Sequence, residues 1–215
     1  MTVQHIDGAL DVVCDREAAE PPYVEMLVAA MRASACKAIW RSEEGDHREV
    51  FLPAGANGAT LPMTCCYMDL ERYAPALTDL LRPNDPAITT IGRVNAYVSP
   101  PGCGTPLHFD QRTVWIVQLF GEKTWHLADR PTVVDPHRNC VAPEGATSVD
   151  FDGQRLSVPK ELAVHKLRPG DWLTVPRGTW HATRTESGSV SVSLAEPPLP
   201  REIRTTRHRG HPNGR

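Results

Sequence analysis

Beyond Ala87 the chain is cut into short runs of alternating or β-branched residues, at 88–98, 114–120, 124–127, 163–167, 172–175 and 190–194. Turn signals separate them, among them SPPGCGTP, FGEK and RPGD. No run of that length can bury its apolar face alone. The strands must therefore close on one another, and a mainly β barrel or sandwich is the architecture expected.

The residues before this region read differently. The stretch PPYVEMLVAAMRASACKAIW (21–40) carries Val24, Leu27, Val28, Met31, Ala35 and Ala38 at helical spacing, with proline in the first turn. A second helix is expected over 69–81, where Leu70, Tyr73, Leu77, Leu80 and Leu81 share a side and Pro75 interrupts. RPNDP stops it. With no internal repeat and no Gly- or Ser-rich linker, residues 1–200 read as one domain: a helical lead-in over 1–86 and a barrel over 87–200, the helices packed on its outside. The basic stretch 201–215 lacks apolar periodicity and is expected to be a disordered tail.

Bulk properties exclude several classes. A net charge of −3 over 215 residues gives no electrostatic reason to expect nucleic acid or a membrane surface. The N-terminus shows no secretory pattern, and no apolar run approaches the roughly 18–20 residues that span a bilayer. Six cysteines lie at irregular spacing without a CxxC pair; vicinal Cys65 and Cys66 read as buried small hydrophobes, and a reducing compartment fits best. A cytoplasmic location is expected.

Within PLHFDQRTVWIVQLFGEKTWHLADRP, His108 and Asp110 stand two apart at the mouth of an apolar strand, so both side chains leave the same face. His181 follows a Pro-Arg-Gly turn in RPGDWLTVPRGTWHATRT. Two imidazoles and one carboxylate form the facial triad that holds ferrous iron while leaving positions open. Lys123 shares its strand with Trp125 and Leu127, where a buried ammonium without an anion would be costly. His126 alternates with Lys123 and Trp125 and is expected to face outward, and His165 and His137, which lack partners at ligand spacing, are expected on the surface.

These motifs, with NAYVSPPGCGTPLHFDQRTVWIVQLFGEKTW, resemble the JmjC and cupin-like family of Fe(II)/2-oxoglutarate dioxygenases, over roughly 91–196. The likeness is strongest to the branch that includes the ribosomal-protein hydroxylases. It implies a double-stranded β-helix, with His108, Asp110 and His181 as metal ligands. It also implies Lys123 as the partner of the distal carboxylate of 2-oxoglutarate, assisted by Ser99. Asn95 and Tyr97 share Ser99's parity and are candidates for the same pocket. Arg177 and Trp115 are candidates for substrate contact.

The implied cofactors are Fe(II), 2-oxoglutarate as cosubstrate and O2; no acid or base beyond the metal ligands is required. The winged-helix and dimerisation modules of that branch do not follow the barrel here, which suggests a compact target: an amino-acid, peptide or natural-product side chain. A homodimer through the N-terminal helices is compatible with the sequence. The alternatives are hydroxylation or demethylation of a protein side chain, and a cupin enzyme that does not use 2-oxoglutarate.

Overall fold

The computed structural model describes residues 23–41, 47–55, 62–82, 88 and 90–198. Its central strand is SVSVSLA. In this strand Val190, Val192 and Leu194 alternate with Ser189, Ser191 and Ser193, and all six are buried. The apolar set joins Val94, Ala96 and Val98 in the main core, beneath Leu27, Met31 and Leu77 of the helices. The serine set faces the other way, into the barrel. A strand buried on both faces, one apolar and one polar, belongs where one side meets a core and the other lines a cavity.

In chain order the elements are α1 (Tyr23–Ala33), β1 (Cys36–Arg41), β2 (His47–Leu52) and β3 (Thr64–Tyr67). A 3-10 turn at Leu70–Arg72 and α2 (Ala76–Leu80) follow, then β4 (Arg93–Ser99), β5 (His108–Phe109), β6 (Val114–Gly121) and β7 (Lys123–Leu127). The chain continues through β8 (Cys140–Val141), β9 (Ser148–Phe151), β10 (Gln154–Ser157) and β11 (Ala163–Leu167). It closes with β12 (Trp172–Val175), β13 (His181–Arg184) and β14 (Ser189–Ala195).

Two antiparallel sheets form the double-stranded β-helix. One has the order β12-β6-β14-β4-β3-β1-β2, the other β11-β7-β13-β5-β8, and β9 and β10 make a separate hairpin. The expected strands at 163–167 and 172–175 coincide with β11 and β12.

The lead-in departs from expectation. The helix expected over 21–40 ends at Ala33, and residues 36–41 form β1 instead. Together β1, β2 and β3 extend the larger sheet, with β3 pairing β4 through Cys65↔Val98, Cys66↔Tyr97 and Tyr67↔Ala96. Ala35 and Ala38 fit helical spacing, but Ala38 and Ile39 also alternate across a strand, and the partner edge offered by β3, which pairs them with Cys65 and Thr64, decides the outcome. Likewise the helix expected over 69–81 divides: the chain runs as the 3-10 turn, pauses at Pro75 and resumes as α2. Proline has no N–H for an i→i−4 bond, which explains the break. Cys65 and Cys66 are buried free thiols, as expected; Cys36 and Cys140 are buried as well, and Cys103 is half-buried. The tail at 201–215, expected to be disordered, lies outside the described residues, as do residues 1–22.

The smaller sheet brings the two histidines together, because β13 pairs β5 through His181↔His108. The turn before β13 is fastened to the other ligand strand: the Gly178 N–H donates to the Asp110 carbonyl at 2.8 Å, and Thr132 N–H donates to the Gly178 carbonyl at 2.9 Å. Gly178 has φ +72°, and a Cβ there would stand 1.9 Å from the Val133 carbonyl oxygen. Gly178→Ala is accordingly expected to cost about 2–4 kcal/mol, from left-handed backbone strain and forced displacement of residue 133. Urea unfolding measures this, and a change below about 0.5 kcal/mol would contradict the account.

Candidate metal centre

His108, Asp110 and His181 offer ligand atoms that all lie within 4.8 Å of one another. The Asp110 Oδ2 atom is 4.0 Å from His108 Nε2 and 3.7 Å from His181 Nε2. These separations are too long for hydrogen bonds. They suit an ion between the atoms, since two metal–ligand bonds of about 2.1 Å at an open angle leave donor atoms roughly 3–4 Å apart.

The tautomers are set for the same purpose. His108 Nδ1 donates to the Pro106 carbonyl at 2.7 Å, and His181 Nδ1 donates to the Thr179 carbonyl at 2.9 Å. A carbonyl only accepts, so each Nδ1 carries the proton and each Nε2 presents a lone pair toward Asp110. Burial pushes the His181 pKa down to about 4, with the neighbouring His108 acting in the same direction. The ring is neutral at pH 7, as a metal ligand must be. Two imidazoles, one carboxylate and an open side are a donor set that fits ferrous iron.

A cavity opens beside these three residues, which form part of its wall. Lys123 and Trp125 line it from β7, Val114 and Ile116 from β6, and Tyr97 from β4. Ser191 and Ser193 of β14, with Thr105 and Thr183, add a wall of hydroxyls. The Trp125 ring stacks on His181, with centroids 5.7 Å apart and planes inclined by 22°.

Lys123 is 2% exposed. Its ammonium donates to Ser191 Oγ at 3.1 Å and lies 5.9 Å from the centre of the Tyr97 ring. No carboxylate pairs with it among the described residues. Burial pushes its pKa down to about 7. A cation so placed, in a cavity that also holds three convergent metal-ligand atoms, fits the far carboxylate of a chelating dicarboxylate.

Other sequence candidates are distributed differently. Tyr97 lines the cavity as expected. Ser99 does not: it is buried one rung lower, pairs with Ser189, and its hydroxyl meets Thr64 Oγ1 at 3.1 Å. The hydroxyl that meets Lys123 is Ser191, which pairs with Tyr97. Asn95 is also turned to another use, since its Oδ1 accepts the Asp69 N–H at 3.1 Å and steadies the 3-10 turn. Trp115 lies on the opposite face of β6 from Val114 and Ile116, packed against the main core. Arg177 is held in ion pairs with Asp135 and Glu196 and is absent from the cavity wall, so it braces the turn before His181.

Three further histidines stand apart from the metal ligands. His137 pairs with Asp152, His165 is exposed, and His126 lies on the face of β7 away from Lys123 and Trp125. Trp180 is fully buried against Phe109 and serves packing. Sequence reasoning missed Ser191, Ser193, Thr105 and Thr183. The strict Ser/Val alternation of β14 was the available signal for the first two.

A JmjC domain family model matches residues 77–199. Ribosomal oxygenase 2 of Rattus norvegicus is 39% identical over 95 residues, which cover 44% of this chain and 18% of that protein. The uncharacterised protein YxbC of Bacillus subtilis is 32% identical over 112 residues, covering 49% of this chain and 34% of that protein. The chain thus spans about a third or less of the length of these two relatives. Among solved structures, YcfD, a ribosomal oxygenase from Escherichia coli, in complex with cobalt and 2-oxoglutarate superposes with a TM-score of 0.57. That match has 16% identity over 92% of this chain and 56% of the other. At that identity the likeness concerns the fold.

The buried lysine generates a prediction with a definite sign. In the ligand-free fold its pKa of about 7 lies below the unfolded value of 10.5, so the unfolded chain holds the extra proton between those limits. Stability contributed at this site therefore rises with pH across that window, and the penalty is fully present below pH 7. Lys123→Met is expected to stabilise the ligand-free protein by about 1–3 kcal/mol at pH 7, and by less near pH 10. Urea unfolding at both pH values checks this; a variant less stable than the parent at pH 7 would contradict it.

Proposed function

The chain belongs to the JmjC domain family, and from that premise we propose that it is an Fe(II)- and 2-oxoglutarate-dependent oxygenase that hydroxylates a C–H bond of an amino-acid or peptide side chain. The observation that carries this reading is the placing of a buried, anion-free lysine in the same cavity as two imidazoles and a carboxylate. The names of the relatives, ribosomal oxygenases among them, support an amino-acid side chain as the target class.

When bound, iron with 2-oxoglutarate and O2 supplies the oxidising power: one oxygen atom enters the C–H bond, the other enters succinate, and CO2 leaves. The chain's own residues do the rest. His108, Asp110 and His181 would hold the metal, their Nδ1–H donors keeping both Nε2 atoms free for it. Lys123, with Ser191 beside it, would receive the distal carboxylate, and charge pairing would restore the lysine's proton. Val114, Ile116 and Trp125 exclude water from the apolar part of the wall, which strengthens each charge contact inside. No side chain is needed as a general acid or base.

The test is aerobic incubation of the Fe(II)-loaded protein with 2-oxoglutarate and a panel of amino acids and peptides. One added oxygen atom per product should accompany equimolar succinate, and His108→Ala should lower the rate by more than about 100-fold. Succinate formation that persists in His108→Ala, or no oxidised product from any member of the panel, would refute the reading.

A further inference from the structure

The groups that adjoin Lys123 carry no charge. β14 supplies the Ser191 hydroxyl at 3.1 Å, and β4 supplies the Tyr97 ring, centred 5.9 Å away. Cys66 of β3, which pairs with Tyr97, is near enough to act on the lysine electrostatically. Burial pushes the Tyr97 phenol up and the Cys66 thiol up to about 12, so both are neutral at pH 8. β11 sets Leu167 opposite Lys123, and β13 contributes Thr183 to the cavity wall. Glu122, next in the chain, is engaged by Lys166 and Arg168 at the surface. Asp110, His108 and His181 line the same cavity, but as the metal ligands. A dication held there outweighs the one carboxylate, and that end of the cavity then opposes a second cation.

An ammonium that is 2% exposed, with a hydroxyl and an aromatic face for neighbours, favours losing its proton. The same group facing a carboxylate favours keeping it. We propose that the cavity takes up a proton from solution with each dicarboxylate it binds, Lys123 being fully charged only when the far carboxylate is in place. This rests on the reading of the cavity as a 2-oxoglutarate site and goes beyond it, since a lysine charged throughout would hold the same carboxylate with no proton exchanged. Both carboxyl groups of 2-oxoglutarate are already ionised at pH 8, so they cannot supply that proton. Cosubstrate capture therefore has a pH ceiling. Below the ligand-free pKa of about 7 the lysine is already charged; above it the amine must be protonated on binding, and affinity falls as pH rises.

Calorimetric titration of the Mn(II)-loaded protein with 2-oxoglutarate, in two buffers of different ionisation enthalpy, counts the protons. About 0.9 proton per ligand is expected at pH 8 and about 0.2 at pH 6.5, and affinity should fall roughly ten-fold from pH 8 to pH 9. 2-Oxopentanoate has the same chelating end but a methyl group in place of the far carboxylate. Any proton change at the metal is common to both ligands, so the difference between them belongs to Lys123, and it should match the whole uptake.

Binding of 2-oxoglutarate with less than about half a proton at pH 8, or equal uptake with both ligands, would overturn this inference and leave the cosubstrate reading standing. Failure of the protein to bind 2-oxoglutarate at all would overturn both.

Discussion

A single ammonium group organises the site. Lys123 is sealed inside the barrel with a serine hydroxyl and an aromatic ring as its near neighbours, and no anion of the described chain meets it. Burial of that kind works against folding, and its cost is not recovered within the ligand-free protein. It becomes favourable once a negatively charged molecule enters. The same cavity presents three ligand atoms from His108, Asp110 and His181, also arranged around a gap. Both features are incomplete without a guest, and the complementary guests are a dication and a dicarboxylate.

The scaffold explains how such groups are tolerated. β14 turns a row of serines inward and a row of valines and leucine outward, so one strand both lines the cavity and anchors the main core. Backbone carbonyls at Pro106 and Thr179 fix the histidine tautomers from behind. The Gly178 turn ties β13 to the Asp110 strand through one backbone hydrogen bond. Each ligand is therefore held by covalent neighbours and by main-chain contacts that do not depend on the metal, which is what preorganisation requires.

Much of this was legible in the residues. The two-residue spacing of His108 and Asp110 dictated a shared face, and the turn before His181 supplied the third ligand. Runs at 163–167 and 172–175 became strands with the expected bounds. Parity predicted which face a residue occupies, but it did not say at which rung the cavity ends. Ser99 and Ser191 illustrate the limit: both hydroxyls face inward, and only the pairing of β14 with β4 sets Ser191 beside Tyr97 and Ser99 below it. Trp115 failed for a related reason, since both faces of β6 are largely apolar and the lone polar residue, Gln118, is itself buried and does not mark a solvent side. The lead-in strands were hidden because Ala35 and Ala38 satisfy two periodicities, and a long-range sheet edge chooses between them.

The most direct measurement is an anaerobic titration of the Fe(II)-loaded protein with 2-oxoglutarate, followed by visible absorbance. If metal and dicarboxylate share the cavity as described, a weak charge-transfer band should grow and saturate at a stoichiometric amount of 2-oxoglutarate. Tight iron binding with no such band at saturating 2-oxoglutarate would contradict the account, because it would leave the buried lysine without the partner that its position calls for.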